Sequence, residues 1–203
     1  LFNSIEGYRG EPRSKPPYPT EQGLFGQPTI VNNPETFLNV LEIVNYGVDH
    51  YRSAGTPESP GTKLFCLSGD VLRPGLYEAE FGITLRGLLA RAGGVAGDLK
   101  AILLGGAAGS FVDSQQLDMP LTFEDTRDEG LSLGSGAVMV FSTRVDIATV
   151  LTRLAKFFRE ESCGQCVPCR VGTVRQHEVL TQISNRKPTA REDVLLTEIG
   201  NVM

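Results

Sequence analysis

The first part of the chain combines an irregular stretch with one amphipathic helix. Residues 8–34 are rich in proline, glycine and charge, and the six prolines in this stretch exclude a regular helix. Apolar residues then recur at helical spacing over residues 37–44. Asn33 suits the N-cap of this helix, Pro34 its first position and Gly47 its C-cap. We therefore predict a single helix that ends just before Gly47.

From residue 61 the pattern changes to short apolar strands around one helix. Strands are predicted over residues 63–68, 76–80, 101–104 and 137–141, where short apolar runs lie between turn signals. Thr84 can cap a helix that places its apolar residues on one face: Leu85, Leu88, Leu89 and Ala92. The order β-β-α-β-loop-β predicts a small α+β sheet with one helix packed on it.

The last sixty residues are predicted to be helical. After Asp146 a stripe of apolar residues recurs at helical spacing: Ile147, Val150, Leu151, Leu154, Phe157 and Phe158. A second helix is predicted from about Thr173, with its inward residues being Val174, Leu180 and Ile183. Thr189 and Glu192 form a capping box that opens a third helix, whose stripe is Leu195, Leu196, Ile199 and Val202. We expect Leu154, Phe157 and Phe158 to pack on the later helices.

Composition places the chain among ordinary globular proteins. Its 203 residues are 40% hydrophobic and 21% charged, and a net charge of −5 argues against nucleic acid as a partner. No apolar run approaches the roughly 20 residues that cross a bilayer, so no direct membrane insertion is expected. The four cysteines do not follow a secreted disulfide framework. We therefore expect a reducing, cytoplasmic compartment.

Three of the four cysteines lie within seven residues, at Cys163, Cys166 and Cys169. The spacing C-x2-C-x2-C lets one short loop direct three thiolates at a single inorganic centre, as in iron–sulfur proteins. In the bacterial ferredoxin pattern a fourth cysteine follows four residues later, where this chain has Thr173. The loop therefore supplies three ligands, and Arg170 could offset part of the charge of a cluster.

Other interpretations of the cysteines and histidines stay open at this point. The loop could instead hold structural zinc, with His177 or an outside group as the fourth ligand. Cys66 lies in an apolar strand-like run, where a buried cysteine behaves as a small hydrophobic residue, and we give it little weight as a cluster ligand. His50 and His177 are the only histidines, and neither pairs with a visible nucleophile, so a hydrolase is poorly supported.

Asn32 and Asn33 precede a predicted helix N-terminus. Helix capping explains one asparagine at such a position. Alternatively, the amides and the first helical N–H groups face a phosphate or the edge of a polar ring. The glycine-rich segments at residues 105–109 and 134–136 fit neither a dinucleotide fingerprint nor a P-loop, and we interpret both as turns.

Taken together, these segments resemble the flavin- and NADH-binding subunit of respiratory complex I and its relatives, the diaphorase subunits of NAD-reducing hydrogenases and formate dehydrogenases. The segments NSIEGYRGEPRSKPPYP and GLFGQPTIVNNPETFLNV are similar to the end of the flavin domain of that family. GTKLFCLSGDVLRPGLYE and LRGLLARAGGV resemble its ubiquitin-like β-grasp (SLBB) domain. The most specific match is the cysteine segment, FFREESCGQCVPCRVGT.

The resemblance implies a fold, cofactors and partners. It implies a flavin-domain remnant over residues 1–60, an SLBB β-grasp domain over 61–143 and a truncated helical iron–sulfur domain over 144–203. Cys163, Cys166 and Cys169 would bind a 4Fe-4S cluster, with a fourth cysteine shortly beyond the last residue, and Asn32 and Asn33 would contact FMN.

The implied activity belongs to a longer parent protein. In that parent, NADH reduces FMN, and single electrons pass to the cluster and on to a ferredoxin- or thioredoxin-like subunit of an NADH-oxidising complex. The segments that hold FMN and NADH lie upstream in the family, so this piece is not expected to bind NADH alone. From the residues, the competing hypothesis is a non-catalytic interaction module with a β-grasp docking face and a structural zinc site.

Overall fold

The computed structural model describes residues 1–185 and 189–203, which form two compact units. The helical unit comprises Leu1–Asn32 and Asp146–Met203, and the sheet unit comprises Asn33–Val145. The α-helices of the described residues are α1 Phe2–Ile5, α2 Pro34–Tyr46, α3 Val48–Arg52, α4 Leu85–Arg91, α5 Phe123–Asp128, α6 Ile147–Glu161, α7 Val167–Ser184 and α8 Ala190–Val202. The strands are β1 Thr62–Gly69, β2 Gly75–Glu80, β3 Leu99–Leu104, β4 Ser110–Val112 and β5 Ala137–Ser142.

A five-stranded mixed sheet forms the centre of the sheet unit. Its strand order is β2-β1-β5-β3-β4; β1 and β5 run parallel, and the other neighbouring strands are antiparallel. Short connections join the antiparallel pairs β1–β2 and β3–β4, whereas the parallel pair β1–β5 is joined by a long connection that includes the strands between them. The predicted α+β class with a β-grasp sheet is confirmed.

Helix α4 covers one face of this sheet and closes the main core. Thr84 caps α4 by accepting a hydrogen bond from the Gly87 N–H at 3.0 Å, as the sequence predicts. The helix buries Leu85, Leu88 and Leu89 against inward-facing strand residues: Phe65, Leu67, Ile102, Leu104, Val138 and Val140. The apolar residues at alternate positions of the strands and those at helical spacing in α4 therefore pack together in one apolar layer.

Cys66 lies on the other face of the sheet, so its predicted burial is wrong. In β1 the buried residues are Lys63, Phe65 and Leu67, while Leu64 and Cys66 are exposed. The run from Leu64 to Leu67 is apolar throughout, so the sequence contains no alternation that shows which residues face the core. Burial follows the register of the sheet instead, in which Cys66 lies opposite Leu76 on β2 and Ala137 on β5.

Helix α2 has the predicted bounds, but its apolar stripe does not reach a core. Asn33 is the N-cap, Pro34 is the first residue and Gly47 is the C-cap. The apolar residues of the stripe are all more than 45% exposed: Phe37, Leu38, Val40, Leu41 and Val44. Helical periodicity thus predicted the element correctly without showing what its apolar face contacts.

The helical unit contains the three predicted helices, with one boundary corrected. Helix α6 begins after the Asp146 N-cap, and Thr189 forms the predicted capping box with Glu192 at the start of α8. Helix α7 begins at Val167, six residues before the predicted start at Thr173. The reason is Pro168, whose fixed φ and missing N–H suit the first turn of a helix.

The packing of these helices differs in part from the prediction. Helix α7 packs against α6 and α8, with Leu154, Phe158, Leu180, Ile183, Leu195, Leu196 and Ile199 half-buried. Phe157, Val174 and Val202 are exposed, at 47%, 39% and 69%, so their predicted inward positions are wrong. The residues buried on α6 and α7 are instead Ala155, Thr173 and Val179.

Candidate cluster-binding loop

The cysteine loop connects the end of α6 to the start of α7. Ser162 is the C-cap of α6, and its N–H donates to the Phe158 carbonyl at 3.1 Å. Gly164 then adopts φ +81°, in the left-handed region that glycine enters without steric cost. This residue reverses the chain so that Cys166 lies at the N-cap of α7.

Cys169 belongs to the first turn of α7 and not to the preceding loop. Among the described residues no side chain caps the N-terminus of α7, and Pro168 has no N–H. The remaining first-turn N–H groups and the helix dipole favour a negative charge at this end of the helix. An anionic iron–sulfur centre next to Cys166 and Cys169 would meet that preference.

Two guanidinium groups hold the backbone of this loop. Arg170 donates from Nη1 to the Gly164 carbonyl at 2.9 Å. Arg9, from the irregular N-terminal segment of the same unit, donates from Nη2 to the Ser162 carbonyl at 3.2 Å. Both groups bring positive charge to the loop, as the sequence predicts for Arg170, whereas Arg9 has no sequence signal that links it to a loop about 150 residues away.

Ser162 is the second residue that sequence reasoning missed. Its Oγ lies 3.5 Å from Cys169 Sγ and accepts a hydrogen bond from the Gly164 N–H at 3.3 Å. A serine before the first cysteine could have been noted, but only the structure shows that it contacts the third cysteine.

The thiols fit an iron–sulfur group by their chemistry and partial exposure. Cys163 and Cys169 are half-buried, and Cys166 is exposed. Within the described residues, no three or more His, Cys, Asp or Glu side chains are grouped closely enough to hold a metal ion. The structure therefore does not gather the three thiols at one point. Their fit to an iron–sulfur cluster rests on donor chemistry, since three soft thiolates lie within seven residues of the chain.

His177, the suggested zinc ligand, is engaged elsewhere on α7. Its Nδ1 lies 3.1 Å from Arg159 Nη1 on α6. It also follows Cys169 by eight residues, which corresponds to about 12 Å along the helix axis. The structure therefore does not bring His177 to the three thiols.

Gly172 of α7 lies against the C-terminal end of α8. A Cβ on Gly172 would collide with the Met203 side chain and lie 3.4 Å from Ile199 Cγ2. Because Gly172 follows Cys169 by three residues, the C-terminal turn of α8 packs about one helical turn from the third cysteine.

The asparagine pair lies at the division between the two compact units, with Asn32 in one and Asn33 in the other. The Asn33 side chain accepts a hydrogen bond from the Glu35 N–H at 2.8 Å, so the capping role is present. Glu35 in turn accepts from Lys63 Nζ and from the Leu64 N–H, each at 3.0 Å. These bonds fix the start of α2 against β1.

The comparisons with known proteins match two consecutive families along the chain. Residues 63–140 match the SLBB domain, and residues 149–203 match the NADH-ubiquinone oxidoreductase-F iron-sulfur binding region. No helix among the described residues is both long enough and apolar enough to span a membrane.

Individual relatives and one solved structure agree with these matches. The F subunit of the NADH-quinone oxidoreductase of Mycobacterium bovis is 46% identical over 85% of this chain and 39% of the relative. The alpha subunit of the NAD-reducing hydrogenase HoxS of Cupriavidus necator is 44% identical over 87% of this chain and 28% of the relative. A crystal structure of an NAD+-reducing [NiFe]-hydrogenase in the H2-reduced state superposes with a TM-score of 0.87 and 40% identity, covering 100% of this chain and 34% of the other.

The chain thus spans less than half the length of these relatives. Both of its matched regions occur in the order that the sequence predicts. The chain is thus homologous to part of the NADH-quinone oxidoreductase F subunits and of the related subunits of NAD-reducing hydrogenases.

Proposed function

We propose that Cys163, Cys166 and Cys169 bind a 4Fe-4S cluster. The observation that carries this proposal is that the matched iron–sulfur region, residues 149–203, contains all three cysteines. Two of them, Cys166 and Cys169, lie at the uncapped N-terminus of α7. Arg9 and Arg170 place two positive charges on the same loop. Thiolates, open helical N–H groups and cationic side chains together suit an anionic cluster.

The complete protein is proposed to be an NADH:acceptor oxidoreductase subunit. When bound, FMN accepts hydride from NADH, and the cluster carries single electrons onward. The residues described here contribute by holding the cluster and by fixing one edge of the flavin site. The names of the relatives, an NADH-quinone oxidoreductase and an NAD-reducing hydrogenase, support this assignment.

Asn32 and Asn33 are proposed to contact the flavin. The capping bond uses Asn33 Oδ1, and the ties of Glu35 to β1 hold that end of α2 in place. Asn33→Asp separates the two roles, because aspartate caps a helix as well as asparagine does but has no amide N–H donors. We expect the Asn33→Asp variant of the full-length protein to keep its stability and to lose FMN affinity.

The fourth cluster ligand is proposed to be a cysteine shortly after Met203. The contact of Met203 with Gly172 supports this position, since the chain leaves α8 about one turn from Cys169. Extending the chain past this point should convert an oxygen-labile cluster into a stable one. An equally air-stable cluster in the 203-residue chain would contradict this part of the proposal.

The partners, location and domain limits follow the family assignment and are also proposals. We propose that the subunit assembles with others of an NADH-oxidising complex, including a ferredoxin- or thioredoxin-like electron-transfer subunit, in the cytoplasm. The proposed domain limits remain 1–60, 61–143 and 144–203. Limited proteolysis of the purified chain tests these limits. First cleavages near residues 60 and 143 would support them, whereas first cleavages near residues 32 and 145 would favour the borders of the two compact units instead.

Single Cys→Ser variants test the ligand assignment. We expect Cys163→Ser, Cys166→Ser and Cys169→Ser each to lower cluster content after anaerobic reconstitution, as measured by iron, sulfide and visible absorbance. Cys66→Ser is the matched control, because this exposed thiol lies on β1 of the sheet unit. Normal cluster content in all three loop variants, or loss only in Cys66→Ser, would show that the ligand assignment is wrong.

A further inference from the structure

The hydroxyl of Ser162 lies between the backbone of the loop and the sulfur of Cys169. Ser162 Oγ is 3.3 Å from the Gly164 nitrogen and 3.5 Å from Cys169 Sγ. The direction of each hydrogen bond can be assigned from the chemistry of the groups. The Gly164 N–H can only donate, so Ser162 Oγ accepts from it and keeps its own proton for another acceptor.

The remaining acceptor is the sulfur of Cys169. A cysteine that ligates a metal centre is a thiolate, which carries no proton and can only accept a hydrogen bond. On the basis of the proposed cluster function, we infer that Ser162 donates its hydroxyl proton to Cys169 Sγ and thereby raises the reduction potential of the cluster. Ser162 thus acts as a positioning and tuning residue beside a ligand and is not itself a ligand.

The backbone around Ser162 holds this hydroxyl in place. The Ser162 N–H is tied to the Phe158 carbonyl at 3.1 Å, and its own carbonyl accepts from Arg9 at 3.2 Å. Both sides of the residue are therefore anchored to elements other than the cysteine loop. A hydroxyl fixed in this way is oriented before the sulfur acquires charge, and it loses little entropy on bonding.

Thr173, the nearest other hydroxyl on α7, does not serve the same role. Its Oγ1 donates to the Cys169 carbonyl at 2.8 Å, so its single proton is used by the backbone. The sulfur of Cys169 therefore receives its hydroxyl contact from Ser162. Addition of an electron makes the cluster more negative, and a donor to the sulfur stabilises the reduced form more than the oxidised form.

The test is a redox titration of the anaerobically purified holoprotein, followed by electron paramagnetic resonance. We expect the Ser162→Ala variant to retain its iron and sulfide and to have a lower midpoint potential than the wild type. Ser162→Thr keeps a hydroxyl at this position and should restore the wild-type potential. Ser184→Ala, at the far end of α7, is the matched control, because that hydroxyl donates to the Thr181 carbonyl.

A second measurement detects the hydrogen bond itself. In D2O, deuterium electron–nuclear double resonance of the reduced cluster should show an exchangeable deuteron that is present in Ser162→Thr and missing in Ser162→Ala. An unchanged potential and deuteron signal in a fully loaded Ser162→Ala protein overturn the inference. Loss of the cluster in Ser162→Ala also overturns it, since the serine would then be structural. Failure of the wild type to bind a cluster would instead overturn the proposed function.

Discussion

Replacing Glu35 with glutamine should destabilise the sheet unit far more than replacing its partner Lys63 with methionine. Lys63 Nζ lies 3.0 Å from Glu35 Oε2, and the Lys63 side chain is 7% exposed whereas the Glu35 side chain is 30% exposed. Glu35→Gln leaves the buried ammonium of Lys63 without a counter-charge. Removal of one partner from a buried ion pair costs about 3–5 kcal/mol, and we expect a loss within this range.

Lys63→Met should cost less because the group left behind is better solvated. The Glu35 carboxylate still accepts from the Leu64 N–H and has partial access to water. Methionine also fills the buried volume of the lysine stem. A loss of no more than about 2 kcal/mol is expected, close to the value of one hydrogen bond to a charged group. The double variant should resemble Lys63→Met alone, so the coupling energy should equal the Glu35→Gln loss in size, about 3–5 kcal/mol.

The pH dependence of this pair has a defined sign. Burial raises the pKa of the Glu35 carboxyl, but the hydrogen bond from the Leu64 N–H and the charge of Lys63 outweigh it, and the pKa is lowered. The contribution to stability is therefore fully present above the unfolded pKa of about 4.3 and is lost as the pH falls through the lower folded pKa. The free energies of unfolding of the wild type and of Glu35→Gln should therefore converge as the pH falls through this range.

Urea unfolding followed by circular dichroism measures these free energies, and hydrogen exchange at the Leu64 amide reports the local effect. Glu42→Gln is the matched control on the same helix. The Glu42 side chain is 43% exposed and pairs with an exposed His50, so its loss should cost less than about 1 kcal/mol. Equal losses for Glu35→Gln and Glu42→Gln, or additive effects of the Glu35 and Lys63 changes, would refute the reasoning.

Two further predictions concern the core and the outer face of the sheet. Leu88→Ala removes a fully buried side chain between α4 and the strands and should cost about 2–5 kcal/mol in urea unfolding; a loss below about 1 kcal/mol would mean that α4 does not close the core. Cys66 should react with iodoacetamide in the folded protein, as read by mass spectrometry, because its thiol is exposed on β1. Reaction only after unfolding would contradict that placement.

The parts of the fold that the sequence predicts are those with two independent local signals. Helix α4 combines the Thr84 cap with an apolar face, and α6 combines the Asp146 cap with an apolar stripe. Local signals of this kind are sufficient to locate an element. Cys66 had only one signal, an unbroken apolar run, which is compatible with burial of either face of a strand.

The candidate site was predicted only as far as its cysteines. Their spacing led to the proposed ligands. The predicted start of α7 at Thr173 left Pro168 outside the helix, whereas the structure places it in the first turn of α7. The contacts of Arg9 and Ser162 with the loop depend on packing between distant segments. Periodicity and capping describe only neighbours along the chain, so they contain no information on these contacts.

The central claim is that the three loop cysteines hold an iron–sulfur cluster, and metal analysis of anaerobically purified protein tests it most directly. Iron, acid-labile sulfide and zinc should be measured on the same sample, together with the electron paramagnetic resonance spectrum of the reduced protein. The claim predicts about four iron and about four sulfide ions per loaded protein, with no stoichiometric zinc. One zinc ion per chain without iron or sulfide would contradict it and would favour a structural zinc site in an interaction module.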